Sequence, residues 1–415
     1  MTSTDQVDPF TAVGAGARLA AYAALAELGP VHRVTLPAGF PAWLVTGHGE
    51  VRQALTDARL VRTPTLAGRR FFDLVPELAP SLMTHLLNCD GADHARLRKL
   101  VGAAFTGRRV TALGPRIEQI AEELLDGLGG GGEVDLLAAY AYPLPTTVIC
   151  ELIGVPQDVR ADFARWTATL LAPAFAAPDV VVSAVTEMVG FARALVARKR
   201  REAGDDLISA LVAARDSGDR LSEDELTSMI FLLFLAGHET TVNLIGNGVH
   251  ALLTHSDQLT RVQAQPDLMP DAIEELLRFD GPVQVTFPLL AATPLRIGTT
   301  EIAAGDVVLP GLLAANRDPS HTTAPDGLDL GRDPHSHLAF GHGVHHCLGA
   351  PLARLEARIA LGSLLRRFPR LRLAGDPEDL TWQPSLVMHG LTALPVRLGD
   401  PVIPSPEPRP TPTKQ

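Results

Sequence analysis

The sequence predicts a mainly α protein with a minor β component, and three observations carry that expectation. Long stretches of Ala, Leu, Arg and Glu repeat apolar residues three and four apart, the period of a helix with one buried face. Only four short segments, at 31–36, 43–45, 307–309 and 394–398, have the character of strands. The 415 residues are 46% hydrophobic with a mean hydropathy of +0.14, enough to bury a large core, and no interior linker-like run divides them. One domain over residues 1–399 is therefore expected. A tail at 400–415, with prolines at 401, 404, 406, 408, 410 and 412, is expected to be disordered.

From the N-terminus, Met1-Thr2-Ser3-Thr4-Asp5 has neither a basic nor an apolar leader region, so no export is expected. The longest apolar run inside a helix, 229–237, is far shorter than the ~20 residues that span a bilayer, so no membrane anchor is expected either. Three cysteines, Cys89, Cys150 and Cys347, argue against a disulfide framework and for a reducing, cytoplasmic setting. A net charge of −11 argues against nucleic acid as a partner, since that binding rests on clustered Lys and Arg.

His94 and Arg98 are four residues apart, with Leu97 and Val101 alongside, which places both donors on one face of a helix. Ser222 followed by Glu225 forms a capping box that opens a helical pattern running to about residue 250. In its middle, after five apolar residues, stands Ala236-Gly237-His238-Glu239-Thr240-Thr241. A carboxylate there needs partners or water, Thr240 can bond a carbonyl one turn back, and Gly237 leaves room for a groove. The cluster is either a helix-bending device or an acid and an alcohol placed to relay protons. A zinc site fails, because His-Glu-x-x-His would need histidine at 242, which is Val242. Further on, Glu275 and Arg278 are three apart on one helical face, within reach of each other.

The most informative segment is Phe340-Gly341-His342-Gly343-Val344-His345-His346-Cys347-Leu348-Gly349. Leu348, Leu352, Leu355 and Ile359 mark a helix that begins there, so Cys347 sits at a loop-to-helix junction where free N–H groups and the helix dipole favour a thiolate. Gly341, Gly343 and Gly349 remove side chains where a flat macrocycle would lie.

This segment, together with the Ala-Gly-x-Glu-Thr-Thr and Glu-x-x-Arg motifs, resembles the haem-binding core of bacterial, actinomycete-type cytochromes P-450, from about Trp43 to Leu398. The resemblance implies the single-domain fold of that family, with helices around a buried haem. It implies Cys347 as the axial iron ligand and a haem b cradle that includes Phe340, Gly341, Gly349, Ala236 and Gly237. It further implies His94, Arg98 and His345 at the propionates, Glu239 and Thr240 in proton delivery to O2, and Glu275, Arg278 and Arg332 as a structural brace. The family places an arginine in the strand after the brace; Leu289 stands there in this chain. Leu235, Ala236, Val283, Val285, Val387 and Met388 are expected to line the substrate pocket, with His389 as a polar contact. Segments 60–88 and 170–189 are expected to roof it.

The implied activity is a monooxygenase acting on a fairly large apolar molecule, a polyketide or macrolide, with a steroid or terpenoid as the alternative. Electrons would come from NAD(P)H through ferredoxin reductase and ferredoxin, because no strand is followed by Gly-x-Gly-x-x-Gly. Arg96, Lys99, Arg108, Arg109, Arg354 and Arg358 are candidates for a positive docking patch, and a monomer is expected. A peroxide-driven peroxygenase and a non-catalytic haem sensor are the competing classes.

Overall fold

A computed structural model describes residues 8–402, apart from 15, 37–38, 65–68, 104, 130–131, 172–175, 217–220 and 334–335. The proline-rich tail beyond 402 lies outside the described residues. The helices of nine or more residues are α1 Ala17–Leu28, α2 His48–Thr56, α3 Gly91–Gly102, α4 Gly114–Gly127, α5 Pro143–Ile153, α6 Arg160–Leu171, α7 Pro178–Arg201, α8 Leu207–Asp216, α9 Glu223–Thr254, α10 Ser256–Ala264, α11 Met269–Asp280 and α12 Ala350–Arg367. The strands are β1 Val31–Thr35, β2 Pro41–Val45, β3 Leu60–Val61, β4 Glu133–Asp135, β5 Leu289–Ala291, β6 Leu295–Ile297, β7 Thr300–Ile302, β8 Val307–Pro310, β9 Arg372–Leu373 and β10 Pro395–Arg397.

Helix α9 organises the rest. Ser222 Oγ accepts from the Glu225 N–H at 3.0 Å and Glu225 Oε2 accepts from the Ser222 N–H at 2.7 Å, so the capping box closes in both directions. The helix then runs 32 residues, to Thr254, one turn past the expected end. It is apolar nearly all round because α5, α7, α11 and α12 pack on its different sides. By length and composition α7 and α9 would each pass as a membrane span, contrary to the reading of residues 229–237 alone. In α9, however, 83% of the apolar window is buried inside the protein.

Two of the four core clusters meet along α9: one with α4, α5, α11 and α12, the other with α7, α8 and the short segment 79–86. A five-stranded sheet, ordered β1-β2-β8-β5-β3, forms the β-rich side. The β2–β8 pair is parallel, with Trp43 opposite Val308, and joins two segments more than 250 residues apart in sequence. All four expected strand segments are strands. The two-residue β3 has no sequence signal of its own; it pairs with β5 as Leu60↔Ala291 and Val61↔Leu290.

Behind the site, Glu275 and Arg278 form a buried bidentate pair, with Nε to Oε2 at 2.7 Å and Nη2 to Oε1 at 2.8 Å. Arg332 Nε reaches Glu275 Oε1 at 3.2 Å, and the two guanidiniums also donate to the carbonyls of Asn316, Thr323 and Pro325. With Glu275 only 1% exposed, this is an interior brace tying α11 to the 316–332 loop.

Candidate active site

Gly341, at φ +71°, turns the chain after Phe340 into a conformation that suits glycine. The loop closes where the Cys347 N–H donates to the Phe340 carbonyl at 2.9 Å, and α12 starts three residues later. The Cys347 thiol is exposed, yet protein surrounds it on nearly every side: its free surface belongs to a cavity. Burial pushes the thiol pKa up, while the N–H groups of Gly349 and Ala350 and the nearby Arg98 and Arg354 act in the opposite sense. Gly349 approaches closely enough that a side chain would lie 3.9 Å from the sulfur. Gly343 has a different task, since a Cβ there would meet the Leu55 carbonyl of α2 at 3.1 Å; its missing side chain serves packing behind the loop.

Opposite the thiol, α9 contributes Leu235, Ala236, Gly237, Thr240 and Thr241 to the same cavity. Thr240 Oγ1 donates to the Ala236 carbonyl at 2.8 Å, leaving its oxygen lone pairs free to accept. Gly237 leaves no groove on its missing-Cβ side; a methyl there would sit 2.7 Å from Ile149 Cδ1, so the glycine admits α5 at close range. Glu239 is not in the cavity wall. It is 9% exposed, 3.6 Å from His238 Nε2, and burial pushes its carboxyl up to about 7.

One rim of the cavity is cationic. Arg62, Arg98 and His345 line it, and Arg98 Nη2 donates to the His346 carbonyl at 2.8 Å. His345 Nε2 lies 2.8 Å from Asp90 Oδ1, and its Nδ1 has no partner among the described residues. His94 sits behind it, buried, with ring centroids 4.0 Å apart, and its Nε2 is likewise unpartnered. Burial, with the His345 and Arg98 charges, holds His94 down to about 4.

Of the expected pocket residues, Leu235, Ala236, Val283, Val285, Val387 and Met388 line the cavity. His389 does not. It is 1% exposed, with Nε2 on Asp280 Oδ1 at 2.7 Å, Nδ1 2.9 Å from Arg18 Nη1 and its ring stacked on Trp382. It locks α11 to the C-terminal loop and offers nothing to the cavity. Leu86 and Leu87 line the cavity as part of the expected roof, whereas no described residue of 170–189 does; Val181, Val185 and Met188 are packed into the core instead. Leu289 is 1% exposed inside the sheet core and makes no contribution to the cationic rim.

The sequence reading singled out neither Glu356 nor Arg62, both of which line the cavity. Glu356 is fully buried, its Oε2 has no partner among the described residues, and burial raises its carboxyl well above the ordinary range. Its place four residues after Leu352, on the inward stripe of α12, was the available signal. Arg62 follows β3, and its meaning depends on a strand pairing that spans more than 200 residues.

The residues fit an iron porphyrin bearing two carboxylates. A thiol faces a largely apolar cavity, cations and orphaned imidazole nitrogens gather at one edge, and the hydroxyl of Thr240 stands on the α9 wall. Fold and cavity together define a mainly α haem-thiolate class of protein.

Comparison with known proteins narrows this. A family model described as Cytochrome P-450 matches residues 176–394, just over half of the chain. Cytochrome P-450 107B1 of Saccharopolyspora erythraea is 49% identical over 376 residues, 89% of this chain and 92% of that protein. Polyketide biosynthesis cytochrome P-450 PksS of Bacillus subtilis is 40% identical over 375 residues, covering 89% and 93%. The solved structure of the tirandamycin C-bound P-450 monooxygenase TamI matches with a TM-score of 0.86 and 46% identity, over 92% of this chain and 97% of that one. The chain belongs to the cytochrome P-450 family and is a haem-thiolate monooxygenase that uses O2.

Proposed function

We propose that Cys347 is the axial thiolate, that α9 supplies the distal groups, and that the substrate is a sizeable apolar polyketide. The observation that carries this reading is that the Cys347 thiol and the Ala236–Thr240 face of α9 border one cavity. Bound there, haem supplies the activation of O2 and the oxidising power to insert one oxygen atom into a C–H or C=C bond.

The protein's own residues do the rest. Backbone N–H groups at the start of α12 hold negative charge on the sulfur. Arg98 and His345 face the haem carboxylates. Thr240 presents a hydroxyl whose proton is already committed to the Ala236 carbonyl, so its oxygen accepts a hydrogen bond and holds a proton donor in place over the cavity. Glu239, with its carboxyl near 7, lies behind the wall as the store from which protons are resupplied. Leu235, Val283, Val285, Val387 and Met388 exclude water and leave the substrate to be chosen by shape.

A polyketide is favoured because the distal wall is apolar apart from Thr240, Thr241 and Thr286, and because the Bacillus subtilis relative is a polyketide-biosynthesis enzyme. Electrons from NAD(P)H through a ferredoxin complete the reading. Of the basic residues considered for docking, Arg354 is held by Glu274 in a bidentate pair and Arg96 by Glu225 and Asp93, which leaves Lys99, Arg108, Arg109 and Arg358 as the acidic partner's contacts.

The test is to titrate the ferric holoprotein with macrolactones, linear polyketides, steroids and terpenes while following the Soret band. A shift toward high spin with the polyketide classes is expected. A shift with steroids alone would overturn the substrate assignment.

A further inference from the structure

Arg62 has no role in anything described so far, and its setting is unusual. Its side chain is 10% exposed and lines the cavity that holds the Cys347 thiol. Its nearest acidic atom, Asp90 Oδ1, is 4.0 Å from Nη1, and among the described residues the guanidinium has no hydrogen-bond partner. A buried guanidinium left this loosely paired is costly unless something else meets it.

Asp90 is already occupied elsewhere. Oδ2 accepts the Arg62 backbone N–H at 2.6 Å, and Oδ1 lies 2.8 Å from His345 Nε2. One carboxylate therefore stands among two guanidiniums and two imidazoles: Arg62, Arg98, His94 and His345. The rim lacks negative charge, which is the complement of a dicarboxylate ligand.

The sheet explains why Arg62 is there. β3 and β5 pair as Leu60↔Ala291 and Val61↔Leu290, and Arg62 is the first residue beyond β3, beside the end of β5 at which Leu289 stands. Leu289 stands where the family resemblance leads one to expect an arginine. The cation is thus found one strand across from the expected place.

We infer that Arg62 is a haem-positioning residue whose guanidinium donates to a propionate carboxylate, in place of the arginine that Leu289 replaces, with Asp90 fixing its backbone and the adjoining His345. The inference rests on the haem-thiolate reading above. It adds a residue of this chain to the carboxylate clamp and predicts that the clamp spans β3 as well as α3 and the cysteine loop.

The experiment compares wild type with Arg62→Leu, each reconstituted with haem b and with haem dimethyl ester, by the rate of haem transfer to excess apomyoglobin. With haem b, loss from Arg62→Leu is expected to be about tenfold faster or more, the size of one charge-assisted hydrogen bond. With the ester, which carries no carboxylates, wild type and variant are expected to release haem at nearly equal rates. Equal rates with haem b, or the same acceleration with both haems, would overturn the inference and leave Arg62 as packing. Should Arg62→Leu not fold, Arg62→Gln measured in the same way decides by the same outcomes. The ferrous carbon monoxide spectrum separates the two readings: a thiolate-type spectrum in wild type keeps the haem-thiolate reading standing even if Arg62 fails.

Discussion

The cysteine side and the α9 side of the cavity are built on opposite plans. The cysteine side is dense in polar contacts: Cys347 sits under two N–H groups, beside a rim carrying Arg62, Arg98 and His345, and α11, whose Leu277 reaches the cavity, carries the Glu275–Arg278–Arg332 brace. The α9 side is nearly apolar, with Leu235, Ala236 and Gly237 beside Thr241 and the committed hydroxyl of Thr240. The difference teaches that one wall holds a charged group in place and the other leaves a reacting molecule uncrowded. Substitutions on the first should cost stability and cofactor; substitutions on the second should cost turnover alone.

The largest effect should come from the brace. Glu275→Ala leaves the buried Arg278 and the half-buried Arg332 without their carboxylate, a loss of about 3–5 kcal/mol. Denaturant unfolding of the holoprotein should show it as a lower midpoint with an unchanged slope. An unchanged midpoint would place the brace with ordinary surface pairs and erase half of the contrast.

Thr240→Ala is the matching substitution on the other wall. Product formation should fall by about 10²-fold as the proton relay is lost, with haem content and unfolding midpoint as in wild type. A variant that loses haem would mean that the α9 side also holds the cofactor.

A smaller effect sharpens the distal side through Glu239. Its carboxyl is raised from its ordinary 4.5 to about 7 by burial, so the folded protein keeps a proton that the unfolded chain releases. Stability from this group is therefore highest below about 4.5, declines as pH rises toward 7, and levels off above it. Comparison of wild type with Glu239→Gln across this window should show that slope in wild type only. The yield of product per NAD(P)H should likewise fall above pH 7 in wild type and be flat in the variant.

The two sides also differed in how far the sequence disclosed them. The cysteine loop and the capped α9 are local in sequence, so glycine spacing and the Ser222–Glu225 box were enough to find them. The Glu275 pair was visible as an i,i+3 spacing, but its burial depends on the loop near residue 325 folding back. His389 was misread because its neighbours Val387 and Met388 do face the cavity; only the fold reveals that Asp280 and Arg18 claim its ring. Arg62 stayed hidden because β3 is two residues long and gains its meaning from β5. Glu356, by contrast, was within reach of periodicity.

The central claim is that the thiol bordering this cavity is the one that holds the iron. The most direct measurement is the ferrous carbon monoxide spectrum of holoprotein carrying Cys89→Ser, Cys150→Ser or Cys347→Ser singly. The thiolate-type spectrum should persist in the first two and vanish in Cys347→Ser; its survival in Cys347→Ser would contradict the account.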